Sequence, residues 1–382
     1  MVEKFNPTSD FPKLDRTNEA LGPGGGEDLD VEEVGQEVEL DQPKTESNVE
    51  LVQDGSAVIN PEEPQIQATF NSNLAEFLDE SYLQALANDL NEKVDNDKAT
   101  REDWEQSYTK GLDLLGFKYE ERTRPFRGAA SVNHPMLAQA VTQFQAMAYV
   151  ELLPADGPVR TQVVGANSPQ IQSAAERVKD YMNYEITHVM EDYNPEMDTL
   201  LFQLPLAGSA FKKVYYDEVL GRATSKFIPA EDVIVPYGCS DLDDCERITQ
   251  VLKMTMNDLR KKQVSGFYLD IPSVGYDGTN GSDLQEKKDQ IDGESPGNYA
   301  MDDMAELYEL HVDLDLEGFE DINPVDGEPT GIKLPYIVTI DKSSNAVLSI
   351  YRNYNANDPL RKKNDYFVHY KFLPGLGFYG FG

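Results

Sequence analysis

The sequence predicts an α+β fold, and three observations carry that expectation. Between Asn71 and Gly208, apolar residues recur every three or four positions, the period of helices with one buried face. From Phe211 onward the period falls to two, as strands require. Short turn signals such as Gly221 and Lys342-Ser343-Ser344-Asn345 join neighbouring strands, so the β region should be mixed and mostly antiparallel. The reading is therefore a helical layer with a long helical hairpin, a β region beside it, and a disordered acidic N-terminus.

The chain has 382 residues, with 33 Lys and Arg against 69 Asp and Glu, a formal net charge of −36. Hydrophobic residues make up 40%, enough for a sizeable core. Sequence-independent nucleic-acid binding rests on cations that neutralise phosphates, so this surface as a whole repels DNA. A wall of like sign still suits a protein that surrounds DNA without gripping it. The two cysteines, Cys239 and Cys245, have no histidine nearby, and we read them as reduced thiols of an intracellular protein. No run of 18 apolar residues occurs, so no membrane partner is expected. The start MVEKFNPTSDFPKLD has no apolar core of a signal peptide.

Three regions follow in order. Residues 1–70 are acidic, rich in Gly and Pro and poor in aromatics, which predicts a disordered acidic arm. Gly24-Gly25-Gly26 is no phosphate loop, because no Gly-Lys-Ser/Thr follows. Residues 71–208 form the helical region. Leu74, Phe77, Leu78, Tyr82, Leu86 and Leu90 make one stripe with Asn73 as its cap. Thr100 and Asp103 match a capping box for a second helix, whose inward set is Trp104, Tyr108, Leu112 and Leu115. Between Phe117 and Arg127 lies the most basic stretch, with Lys118, Arg122, Arg124 and Arg127 among aromatics. Such interleaving can meet nucleic acid; Glu120 and Glu121 dilute it, so the stretch reads first as a salt-bridged loop and next as an ion-pair surface toward another subunit.

The segment Phe126 to Val164 is the centre of the helical region. Asn133 is the expected cap and Pro135 the first-turn proline of a core helix, buried through Leu137, Val141, Phe144, Ala148 and Leu152. Val159–Val164 then reads as a strand. Ser168-Pro169 opens a long helix with a face of Ile171, Ala174, Ala175, Val178, Met182, Ile186 and Val189. Asn194-Pro195-Glu196 opens its partner, with Met197, Leu200, Leu201 and Leu204 inward. These two helices are expected to form an antiparallel hairpin.

Residues 209–382 are the β-rich region. Strands are expected at 211–216, 222–228, 232–235, 248–254, 305–316, 334–340, 346–351 and 367–372, with a short helix capped by Thr255. Residues 272–300, rich in Gly, Ser, Asp and Asn, predict a flexible insertion. Asp241–Asp244 lacks the spacing of a calcium loop and reads as surface. The ending LPGLGFYGFG places Phe378, Tyr379 and Phe381 near the last residue, where they would be costly to leave wet. The expectation is that the natural protein continues or that a partner buries them.

No nucleophile–base arrangement, P-loop, zinc motif or dinucleotide fingerprint is present, and His134, His188, His311 and His369 are scattered. No catalytic, metal or cofactor-binding residue is assigned, no cofactor is expected, and the chain is read as a structural protein and not an enzyme.

The runs FRGAASVNHPMLAQAVTQFQAMAYVELLP, GSAFKKVYYD and FIPAEDVIVPYGCSDLDDCERITQVLKMTMNDLRKKQVSGFY resemble the portal proteins of tailed bacteriophages, the head-to-tail connectors, in their podophage branch. The likeness covers roughly residues 74–382. It implies a portal wing region, with the family's stem, clip and crown absent after 382. It also implies a homo-oligomeric ring, usually of twelve copies, at the capsid portal vertex of the virion, assembled in the host cytoplasm. Such a ring passes double-stranded DNA during genome packaging and ejection. Its implied partners are the terminase large subunit, the head–tail adaptor and the major capsid or scaffolding protein. The alternative is another virion connector, an adaptor or a scaffold-interacting protein. The family has no catalytic residues to carry over, and Lys118, Arg122, Arg124 and Arg127 are the candidate inter-subunit or DNA-proximal loop.

Overall fold

The computed structural model describes residues 49–51, 57–59, 68–115, 126, 134–165, 168–217, 220–272, 283–292, 304–323, 327–375 and 377–382. The chain divides into two compact units, Met1–Ile66 and Gln67–Gly382. In the first, β1 (Val49–Leu51) pairs antiparallel with β2 (Ala57–Ile59), a ladder the sequence reading did not include. The remainder of the acidic arm expected over 1–70 lies almost wholly outside the described residues.

The second unit is α+β. Its helices are α1 (Glu80–Thr100), α2 (Glu102–Leu114), α3 (Met136–Leu152), α4 (Pro169–Tyr184), α5 (Tyr193–Ala207), α6 (Met256–Val264) and α7 (Asp283–Asp292). Its strands are β3 (Ser209–Asp217), β4 (Arg222–Pro229), β5 (Val233–Ile234), β6 (Arg247–Thr255), β7 (Met304–Leu314), β8 (Leu334–Asp341), β9 (Ala346–Arg352) and β10 (Phe367–Lys371). They form a three-stranded sheet, β10-β3-β4, and a five-stranded sheet, β5-β6-β7-β8-β9. Every pairing between these strands is antiparallel.

The first helical stripe is broken. Asn73 caps only a 3-10 turn, Leu74–Glu76, and α1 begins at Glu80 after Asp79. Asn73 has a second task that explains the break. Its Oδ1 also accepts from the Ile350 amide at 2.9 Å, and its Nδ2 donates to the Leu348 carbonyl, so the turn is stitched to β9. Thr100 is the last residue of α1 and not a cap, because its hydroxyl donates back to the Asp97 carbonyl. Arg101 occupies the junction instead. Its guanidinium donates to the Ala230, Glu231 and Val233 carbonyls and pairs with Glu105.

The five-stranded sheet is a middle layer. Tyr308, Leu310, Val312, Tyr336 and Val338 face Leu74, Leu90 and Val94, and each such fully buried aliphatic side chain contributes about 1.5–3 kcal/mol. On its other side Ala305, Leu307 and Leu348 meet Leu259 and Tyr268. The alternation expected in β7 is present, but its polar side is also covered. His311 is buried and Glu309 nearly so, with Lys213 Nζ 2.5 Å and His311 Nε2 2.8 Å from Glu309 Oε1. A second buried pair, Arg247 with Asp97 at 2.8 Å, joins β6 to α1.

Four expectations are corrected. The insertion 272–300 carries α7, whose Leu284 is buried in the core beside Tyr108 and Leu112; residues 273–282 and 293–303 lie outside the described residues. Cys239 and Cys245 are not free thiols but a disulfide, because the turn through Gly238 folds the loop back to a Cα separation of 5.3 Å. Val159–Val164 joins no ladder and carries no regular secondary structure. Two of the three terminal aromatics are covered within the chain: Phe378 is buried on Phe211 and His369, and Tyr379 stacks on Trp104 at 4.6 Å, whereas Phe381 is 63% exposed. Glycine permits this packing. Gly208 has φ +74°, and a Cβ on it would lie 2.3 Å from the Gly380 carbonyl oxygen.

Candidate functional site

Lys118, Arg122, Arg124 and Arg127 lie outside the described residues; of that stretch only Phe126 is described, and it is exposed. The four histidines do not converge: His134 and His188 are exposed, and His311 and His369 sit on different sheets.

Three polar clusters carry chemical groups, and each is enclosed. His369 Nε2 is 3.0 Å from Ser209 Oγ, a serine–histidine contact by distance. The ring is stacked between Phe211 and Phe378, and burial, aided by Lys371, pushes its pKa down to about 4. Ser209 already accepts from the Gly380 amide and is itself buried, so the pair braces the C-terminal segment. Glu309 is the second case. Burial raises its carboxyl, but the hydrogen bond from His311 and the charge of Lys213 outweigh that and bring it down to about 2. The third is Lys212, whose buried ammonium lies over the Tyr193 ring at 4.1 Å, and desolvation lowers it to about 8.

Two cavities border these elements. One, of about 30 Å³ beside His311, Asp313 and Tyr366, has room for a water molecule. The other, about 400 Å³, is an open groove on α6 in which Arg260 pairs with Asp270 and Gln263 donates to the Ile271 carbonyl. Among the described residues, no three His, Cys, Asp or Glu side chains group as a metal site.

The feature without an internal explanation is the segment from α3 to α5. The helix α3 starts at Met136 with Pro135 at the cap position and not in the first turn as expected; Asn133, the expected cap, lies outside the described residues. Ala138 and Val141 are buried, and Phe144, Ala148, Tyr149 and Leu153 pack against Met197, Leu200, Leu201 and Leu204 of α5. That accounts for one face. The other, with Met136 69%, Met147 67% and Val150 70% exposed, is uncovered; so is Leu152, expected to be inward.

The helix α4 begins as its sequence requires, with Ser168 Oγ accepting from the Ile171 amide and Pro169 at the first position. It buries no side chain. Ile171, Val178 and Met182 are 43%, 50% and 44% exposed. Its support is polar: Asn183 exchanges hydrogen bonds with the backbone of Val159, and Thr161 donates to the Ala175 carbonyl. A π-helical turn, Glu185–Val189, then leads through Asp192 into α5. The hairpin expected of α4 and α5 is therefore displaced: α5 packs chiefly on α3 and on β3 and β4, and α4 stands apart as a finger. Arg222 holds the finger's root through both oxygens of Asp192.

The exposed side of α3 was legible but missed. Met136, Ala140, Met147 and Val150 interleave with Leu137, Val141, Phe144 and Ala148, so the helix is apolar almost all round. A helix of that kind is buried on more than one side.

No protein-family model matches the chain, and no curated protein matches it.

Proposed function

We propose that the chain is a structural subunit of a portal ring, of about twelve copies, at the capsid vertex of a tailed bacteriophage. The ring forms the channel for double-stranded DNA in packaging and ejection, docks the terminase large subunit and then the head–tail adaptor, and sits against the capsid or scaffolding protein. The protein acts through packing faces, not through an active centre. The reading rests on the sequence resemblance, and one structural observation carries it further. The amphipathic helix α4 buries none of its side chains within its own chain, while the polar clusters at Ser209–His369, Glu309–His311 and Lys212 are largely enclosed. Exposed apolar faces of this extent mark sites of association. The net charge of −36 fits a channel wall that repels the polymer it conducts.

The test is the mass of the natively purified protein. A closed ring of about a dozen chains is expected by native mass spectrometry and by electron microscopy. A chain that stays monomeric at high protein concentration would sink the reading.

A further inference from the structure

Two apolar stripes on this chain are unpartnered, and they match. On α3 the residues Met136, Ala140, Gln143, Met147 and Val150 follow at alternating steps of four and three, and all are exposed. On α4 the residues Ile171, Ala175, Val178 and Met182 follow the same steps; Ile171, Val178 and Met182 are exposed and Ala175 is half-buried. At 100° per residue each set stays within one narrow strip of its helix. Strips of this spacing pack ridge into groove.

The charge pattern selects the occupant. A second copy of a chain with net charge −36 is repelled wherever acids face acids. From Pro135 to Val150 there is no charged residue, in a chain that is 27% charged. This face is thus one that another copy can approach without that penalty. The flanks agree. Beside the α3 stripe stands an acid, Glu151, and beside the α4 stripe, within that helix, a base, Lys179. Glu176, Arg177 and Asp180 fall toward the far side of α4 by the same angular count.

We propose that the α3 stripe of one copy receives the α4 stripe of the next, in a head-to-tail helix–helix contact. The two faces differ, so the contact is heterologous; repeated, it closes a ring or runs on as a filament. This inference rests on the ring reading above and adds which faces join.

The experiment uses the full chain and two double variants, Met147→Glu with Val150→Glu, and Val178→Glu with Met182→Glu. All four positions are exposed, so circular dichroism and the thermal midpoint of the dissociated chain should match the parent. Each variant alone should be monomeric, its self-association constant weakened at least ~30-fold. Mixed one to one, they should give a heterodimer and nothing larger, because one intact α3 stripe and one intact α4 stripe remain per pair. Leu in place of Met147 and Val150 should assemble like the parent. Rings formed by either Glu variant, or a dimer of the α4 variant alone, would overturn the contact while leaving the ring reading in place. A mixture that stays monomeric would overturn it too, as would stripes protected from labelling in a monomeric parent, where the chain covers itself. In that last case the ring reading fails with it.

Discussion

The two-sheet body and the α4 finger belong to one chain and obey opposite rules. In the body even charges are enclosed, and most have a partner: Arg247 on Asp97, Lys213 on Glu309, Arg101 on three carbonyls, with Lys212 held over the Tyr193 ring. In the finger even apolar side chains are open, and hydrogen bonds from Asn183 and Thr161 hold its two strips of backbone together. A region that satisfies its own groups can fold alone. A region whose apolar residues find no cover keeps them for another surface, because water-exposed apolar area forgoes about 25 cal/mol per Å². The comparison separates residues selected for stability from residues available for assembly.

The largest test breaks the body. Replacing Asp97 by Ala leaves the Arg247 guanidinium buried without its bidentate partner. Removing one member of a buried pair costs about 3–5 kcal/mol. The Arg247–Asp97 contact spans α1 and β6, so urea unfolding should move to lower denaturant by that amount. A loss under ~1 kcal/mol would show that water reaches the pair and that the body is less closed than the finger contrast implies.

A middle-sized effect reads the same closure through pH. His369 is held neutral in the fold, with its pKa lowered to about 4 by burial among Phe211 and Phe378, next to Ser209, Lys371 and Asp241. The unfolded chain takes up a proton as pH falls through ~6.5. Stability is therefore full above that value and falls until pH reaches about 4, by up to about 3 kcal/mol. Asp232 has the opposite sign over part of the window, since burial and Glu231 raise it to about 6 and favour its protonated form in the fold. The measurement is accordingly a difference: the stability of the parent minus that of His369→Phe should fall between pH ~6.5 and about 4, whatever the slope of either curve alone. Parallel curves would place His369 in contact with solvent.

Much of the fold was legible in the sequence because its signals are local. Ser168-Pro169 and Thr255 cap helices as their side chains demand, and the hairpin at Lys342–Asn345 is closed by Asp341 and by Asn345 with φ 54°. What was not legible depends on a second element arriving. Thr100 reads as a cap until Arg101 is needed by carbonyls around residue 231. Phe378 and Tyr379 read as exposed until two glycine backbones, Gly208 and Gly380, meet. His311 reads as surface until the three-stranded sheet covers β7 with Lys213 and Phe367. For the site the balance is reversed: periodicity located the apolar face of α4 and the inward face of α3 but not the second apolar side of α3, and only the tertiary structure tells that the inward face of α3 is used within the chain and that α4 buries no side chain.

The smallest expected effect is the sharpest for the comparison. Met182 and Leu200 lie on consecutive helices, and both occupy inward positions by sequence pattern. Leu200 is enclosed between α3 and the β3–β4 sheet, and its replacement by Ala should cost about 2–5 kcal/mol through the cavity it leaves. Met182→Ala on the dissociated chain should stay within ~0.5 kcal/mol, the range of a surface change. The two substitutions remove similar side chains, so propensity and chemistry cancel and only cover differs. If Met182→Ala destabilised the dissociated chain as much as Leu200→Ala does, α4 would already have its cover within its own chain. The apolar strip would then be core, and assembly would have to use another face.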